Sequence, residues 1–199
     1  PLTRDFADRL RPASPVTGIR RDAEGAVVSS RHGDERFDAV VIATHSDQAL
    51  AMLADASAGE REILGAIPYQ ANDVVLHTDT RLLPTHRRAW SSWNYHLTAE
   101  QQSHAVLTYD MNILQGLQSA HTFCVTLNHT AAIDPQKILR RFTYAHPVFT
   151  LDGMAAQARW HEINGVNHTW FCGAYWRNGF HEDGVASALR ISEAFGEQL

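Results

Sequence analysis

The chain has 199 residues, 44% apolar and 20% charged, a composition that builds a folded domain with a substantial core rather than a disordered segment. Seventeen basic against 22 acidic side chains give a net charge of −5, and no basic stripe stands out, which excludes nucleic acid as a natural partner. No apolar run approaches the roughly 20 residues needed to span a bilayer, no secretory pattern is present, and the two lone cysteines, Cys124 and Cys172, suit buried packing in a reducing cytoplasm.

In chain order, Pro1 to Pro15 reads as the tail of a helix or a loop, with Arg4, Arg9 and Arg11 solvated. Val16 to Ser30 reads as a hairpin turning at Asp22 to Gly25. A second turn at His32 to Glu35 leads into the apolar run Ala39 to Ala43, so the expectation is a three-stranded meander ending in a buried strand. Two short helices follow, one over Asp47 to Leu53 and one opened by Ser57 and Glu60, whose spacing is that of a capping box, and stopped by Pro68. From Asn72 to Leu127 the pattern shortens and alternates. Val74–Thr78, Ala89–Tyr95, Ala105–Tyr109 and Phe123–Leu127 read as strands of an antiparallel sheet. Asp134-Pro135 suits a helix start, Arg141 to Phe149 suits a strand, and Asp152 to Trp160 suits a helix.

The stretch that organises the rest is Thr169 to Leu189. A short apolar strand, Thr169 to Cys172, stops at Gly173. A loop rich in aromatic residues follows, and Glu182-Asp183-Gly184 opens a helix reaching about Leu199, with Val185, Ala188, Leu189, Ile191 and Phe195 at helical spacing. Glycines at 173, 179 and 184 let something approach the backbone closely. A strand end, a glycine turn and a helix N-terminus make a ready site for an anion or a carbonyl oxygen. The same local pattern also describes an ordinary β-turn-α corner.

Two segments carry a resemblance. Phe171-Cys172-Gly173 with Gly179-Phe-His-Glu-Asp-Gly184-Val-Ala-Ser-Ala188 resembles the C-terminal flavin motif of the FAD-dependent amine oxidases and the bacterial predicted NAD/FAD-binding proteins related to them. Phe37-Asp-Ala-Val-Val-Ile-Ala-Thr44 resembles a strand of the same superfamily. The resemblance implies an α/β fold: the C-terminal part of an FAD/NAD(P)-binding domain, formed by residues 1–46 and 155–199, with an α+β substrate-binding domain on a mixed or antiparallel sheet between them, residues 47–154. It implies FAD as cofactor, held through Val16, Ala43, Thr44, Gly173, Ala174, Gly179, Phe180, Glu182, Asp183, Gly184 and Val185. Trp90, Trp93, Tyr95, Tyr175 and Trp176 are the expected walls of a substrate pocket.

The chain departs from the family in three places. It lacks the G-x-G-x-x-G fingerprint of the first βα unit, so the expectation is a C-terminal portion of a longer flavoprotein whose sheet edges favour association or domain swapping. Ala174 and Tyr175 follow the Phe-x-Gly where amine oxidases carry an acidic residue, and the single lysine, Lys137, reads as solvated beside Arg140 and Arg141 rather than as a flavin N5 lysine. The expected activity is hydride transfer from a small-molecule or lipid-like substrate to flavin, amine oxidation being one form. A non-enzymatic flavin-fold binding module is the alternative. The twelve histidines show no metal-ligand spacing, and no nucleophile elbow appears.

Overall fold

A computed structural model describes residues 3–97 and 104–197. The chain divides into two compact units, residues 1–69 with 147–199, and residues 70–146.

In the first unit, β1 (Val16–Asp22) and β2 (Gly25–Ser30) form the expected hairpin, but the third strand of the antiparallel meander is β3 (Gly33–Phe37), which takes up most of the turn expected at His32–Glu35, and not the 39–43 run. The next strand, β4 (Val40–Ile42), does not join it. It pairs in parallel with β10 (Thr169–Phe171), Phe171 opposite Ile42, and the ladder runs one residue further through Cys172 N–H to the Ile42 carbonyl at 3.1 Å. β4 was expected to be buried, yet Val41 is 45% exposed: alternate side chains point to opposite faces, and only the Val40/Ile42 face turns to the core.

Helices α1 (Ser46–Met52), α2 (Ala58–Gly65), α4 (Leu151–Ala158) and α5 (His181–Ala194) belong to this unit. The core joins Ile19 and Ala26 of the meander, Ile42 and Phe171 of the parallel pair, and Ala49, Leu53, Ile63, Leu64 and Ala156 of the helices. This shared core explains why 47–69 and 147–154 pack with the first unit, although the sequence grouped 47–154 together. The α2 capping box forms as read: Glu60 N–H donates to Ser57 Oγ at 3.1 Å and Ser57 N–H to Glu60 Oε2 at 2.7 Å. Glu60 also receives two 2.8 Å hydrogen bonds from the guanidinium of Arg21, which is 8% exposed, and Asp55 Oδ1 lies 2.8 Å from Arg21 Nε. β1 is thereby tied to α2 by a buried ion pair. Helix α5 stops at Ala194, earlier than the sequence pattern suggested.

The second unit is built on an antiparallel sheet in the order β6-β7-β8-β5-β9: β5 (Tyr69–His77), β6 (Trp93–Tyr95), β7 (Leu107–Asp110), β8 (Cys124–Leu127) and β9 (Ile138–Pro147). Several boundaries move. Only the last three residues of the 89–95 run are strand, because the Asn94 amide bonds back to the Ser91 carbonyl at 2.8 Å and holds a turn in front of it. The Asp134-Pro135 start yields a single 3₁₀ turn, Pro135–Lys137, since β9 begins at once. That places Arg140 and Arg141 on a strand, and Lys137 Nζ lies 3.6 Å from Asp79 rather than only in solvent. Helix α3 (Met111–Gln115), capped by the Asp110 carboxylate on the N–H groups of Asn112 and Ile113, was not anticipated.

Candidate functional site

Because β4 and β10 are parallel and in register, their carboxyl ends emerge side by side. Ligands of open parallel sheets bind in this position, outside the strand ends. Ala43 and Thr44 continue from β4, and Gly173 and Ala174 continue from β10. Helix α5 starts against the same corner: Gly173 N–H donates to Ser187 Oγ at 2.8 Å, and Ser187 Oγ–H donates to the Gly184 carbonyl at 3.0 Å. A Cβ added at Gly184 would lie 3.8 Å from the Ala174 nitrogen, so this helix face and the loop run close together.

The loop is held from within. The Gln157 amide donates to the carbonyls of Tyr175 and Arg177, both at 2.8 Å, and the indoles of Trp160 and Trp176 both donate to the Phe171 carbonyl, at 3.2 and 3.0 Å. Gly173 has φ of +157°, and a Cβ there would meet the Tyr175 ring at 2.5 Å. The glycine is therefore required by the packing of Tyr175. At the start of α5, Asp183 accepts the Phe180 N–H at 3.0 Å and faces Arg177 at 3.6 Å, so its carboxylate caps the helix, while Glu182 is exposed. Phe180 and Val185 are 56% and 50% exposed.

Three buried polar atoms near this corner have no hydrogen-bond partner among the described residues: His45 Nδ1, Ser46 Oγ and Tyr175 Oη. They follow β4 and β10 directly. His45 stacks on Tyr69 at 4.5 Å between ring centroids, and Ser46 N–H donates to Tyr69 Oη at 3.0 Å. Burial first, then Tyr69 and Cys172 nearby, push the Tyr175 hydroxyl far above the ordinary phenol range, so it remains a neutral donor. Unpartnered buried atoms of this kind normally bind ordered water or a ligand. His45, Ser46 and Tyr69 were not read as site residues. The only available signal was the position of His45 and Ser46 just beyond a strand end.

No protein-family model matches the chain, and no curated protein matches its sequence. Solved structures do match in three dimensions. The CLA-producing fatty acid isomerase from P. acnes superposes with a TM-score of 0.64 at 16% identity, over 92% of this chain and 47% of that one. A redesigned putrescine oxidase gives 0.60 at 12% identity over 95% and 50%, and cyclohexylamine oxidase from Brevibacterium oxydans IH-35A gives 0.53 at 16% over 92% and 49%. The chain has the fold of about half of these proteins. This is the mixed α/β class with an antiparallel sheet expected from the sequence.

Of the expected cofactor residues, Ala43, Thr44, Gly173, Ala174, Gly184 and the first turn of α5 come together at the strand ends, with Gly179 and Phe180 leading into that turn. Val16 lies elsewhere, on the meander. It lines a groove of about 500 Å³ with Arg9, Val28, Glu35 and Phe37, beside the ion pair of Arg11 with Glu35. The expected pocket residues fall in both units. Tyr175 and Trp176 are each 3% exposed and belong to the first unit's core. In the second unit, Tyr95 lines a cavity of about 460 Å³ with Arg81, Leu82, Leu83, His96 and His129, whereas Trp90 lines a smaller one of about 300 Å³ with Asp110 and Ile113. Trp93 packs against Tyr109 at 6.4 Å and is 55% exposed. Among the described residues no group of three or more His, Cys, Asp or Glu is placed to hold a metal ion, and no helix is long and apolar enough to cross a membrane.

Proposed function

We propose that this chain supplies part of the FAD site, and the substrate-binding sheet, of an FAD-dependent oxidoreductase acting on a small organic substrate. The observation that carries the reading is the meeting of the β4 and β10 carboxyl ends with the N-terminus of α5. The fold shared with oxidases supports it, as does the match of the two sequence motifs to that corner. In this reading residues 1–69 with 147–199 belong to the FAD side and 70–146 to the substrate side.

The residues present fit a flavin in kind. Gly184 offers no side chain at the helix start, and the partial positive charge there contributes on the order of 0.5–1 kcal/mol toward an acceptor. Glu182 and Asp183 already place negative charge in the first turn, so the terminus favours a neutral carbonyl or hydroxyl over a phosphate. A ring carbonyl of flavin and a ribityl hydroxyl meet that description. Ala43, Thr44, Ala174 and Gly184 would hold the cofactor, Phe180 and Val185 would flank it with apolar surface, and Glu182 would reach its hydroxyls. Bound flavin supplies acceptance of a hydride from substrate. The protein's own part is orientation and exclusion of water at this corner. The fold neighbours act, by name, on substrates as different as a fatty acid and putrescine, so the fold does not select the substrate.

The direct test is flavin retention in the full protein encoded by the gene. Gly184→Leu is expected to abolish retained flavin absorbance, while the far-ultraviolet circular dichroism stays unchanged. Retention of flavin by a folded Gly184→Leu protein would contradict the placement.

A further inference from the structure

The buried face of the second unit's sheet carries polar side chains beside Val75 and Cys124. Thr108 of β7 and Thr126 of β8 are opposite one another and fully buried, and their hydroxyls are 2.8 Å apart. The chain continues at both ends: Thr126 Oγ1 lies 2.8 Å from His77 Nε2, and Thr108 Oγ1 lies 2.9 Å from His96 Nε2. His77 is completely buried, whereas His96 lines the cavity of about 460 Å³ together with His129, whose ring centroid is 6.0 Å away.

The direction of this chain follows from its inner end. His77 Nδ1 accepts the Asp79 N–H at 3.0 Å, so it carries no proton. Burial keeps the ring neutral against the pull of Asp79, which puts the proton on Nε2 and makes it the donor to Thr126. A hydroxyl donates once. Thr126 therefore donates to Thr108, and Thr108 donates to His96 Nε2. Three links use three protons, and a fourth on His96 Nε2 would leave one hydroxyl proton without an acceptor inside the sheet. His96 thus stays neutral with its N–H on Nδ1, a fixed donor on a cavity-lining side chain.

Arg81 brings a guanidinium to the same cavity. Asp79, fully buried, takes Nε and Nη2 of Arg81 and lies 3.6 Å from Lys137, and Asp134 also acts on Arg81, so two cations stand among two carboxylates. Among the described residues Arg81 Nη1 has no partner and no acidic side chain lines the cavity, and the Arg81 side chain is 63% exposed. Leu82, Leu83 and Tyr95 supply apolar wall.

We propose that this cavity binds a small carboxylate with a short apolar body, the carboxylate received by Arg81 Nη1 and the His96 Nδ1–H and the apolar part set against Leu82, Leu83 and Tyr95. The proposal does not rest on the flavin reading and stands or falls without flavin.

The test is long-range ¹H–¹⁵N correlation of the histidine rings in the full protein, before and during titration with hexanoate, with hexan-1-ol as the uncharged control. The expected result is His77 protonated on Nε2, His96 protonated on Nδ1, and saturable movement of the His96 resonances with hexanoate but not with hexan-1-ol. Arg81→Gln and His96→Gln are each expected to weaken hexanoate about tenfold or more, the scale of a lost charge-assisted hydrogen bond. The wild-type spectra decide the matter even where a variant unfolds. A proton on His96 Nε2, equal binding of hexan-1-ol, or no movement with hexanoate would overturn the proposal.

Discussion

At the residue scale, two side chains convert packing into measurable behaviour. Cys124 is fully buried, and desolvation, helped by Asp110 and Asp79, pushes its thiol up to about 12. Cys172, also buried, is raised by desolvation too. Since the thiolate is the reactive form, neither is expected to react with Ellman's reagent in the native protein, while denaturant makes both reactive. Rapid native labelling of either would show that the corresponding strand opens. Gly173 gives a second prediction. A Cβ there meets the immobile Tyr175 ring at 2.5 Å, so Gly173→Ala is expected to cost about 1–3 kcal/mol in denaturant titration. Gly184→Ala, with its nearest new contact at 3.8 Å, should instead stabilise α5 by roughly 0.5–1 kcal/mol. Both glycines were visible in the sequence as a pair around the loop. Their different reasons were not, because one depends on where the Tyr175 ring folds back and the other on how near Ala174 comes.

At the element scale, α2 is the clearest case of what local sequence can and cannot reveal. Ser57 and Glu60 are three positions apart, so their capping box is written in neighbouring residues. The ion pair of Glu60 with Arg21 spans 39 positions and depends on β1 crossing α2, which no local pattern encodes. Breaking this buried pair with Arg21→Ala is expected to destabilise the fold by about 3–5 kcal/mol, because Glu60 is left charged and unpaired, and Arg21→Ala combined with Glu60→Gln should recover a large part of that loss. The pair also sets an acid response. Burial raises the Glu60 pKa, but the hydrogen bonds and charge of Arg21 outweigh burial and hold it below the ordinary carboxylate value. A depressed pKa contributes stability above the unfolded-state value, and that contribution is lost as pH falls through the folded one. Urea midpoints measured from about pH 6 to pH 3 should therefore drop less steeply in Glu60→Gln than in the wild type. The over-long strand at 89–95 and the missed α3 share a cause with each other. In both places a polar side chain, Asn94 or Asp110, bonds its neighbouring backbone and overrides the apolar pattern.

At the scale of the whole molecule, the sequence made the mixed α/β class and the Gly173–Gly184 corner readable, since each rests on a contiguous motif. It did not reveal that β4 pairs in parallel with β10 more than a hundred residues later, nor that the buried face of the second unit's sheet sets Thr108, Thr126 and His77 beside Val75 and Cys124. Along β7 and β8 the completely buried residues include Thr108 and Thr126, while their apolar neighbours Leu107, Tyr109, Val125 and Leu127 are only partly buried, because polar groups that satisfy each other can occupy a core face. Within the second unit, Trp90, Trp93 and Tyr95 likewise stand in separate surroundings. In the proposed function the corner formed by β4, β10 and α5 holds the flavin, and the visible absorption spectrum of the purified full protein tests that proposal most directly. Visible flavin bands that bleach when substrate donates a hydride are the predicted result. A folded, colourless protein that takes up no FAD on titration would contradict it, and bound flavin that no donor reduces would leave a binding module in place of an enzyme.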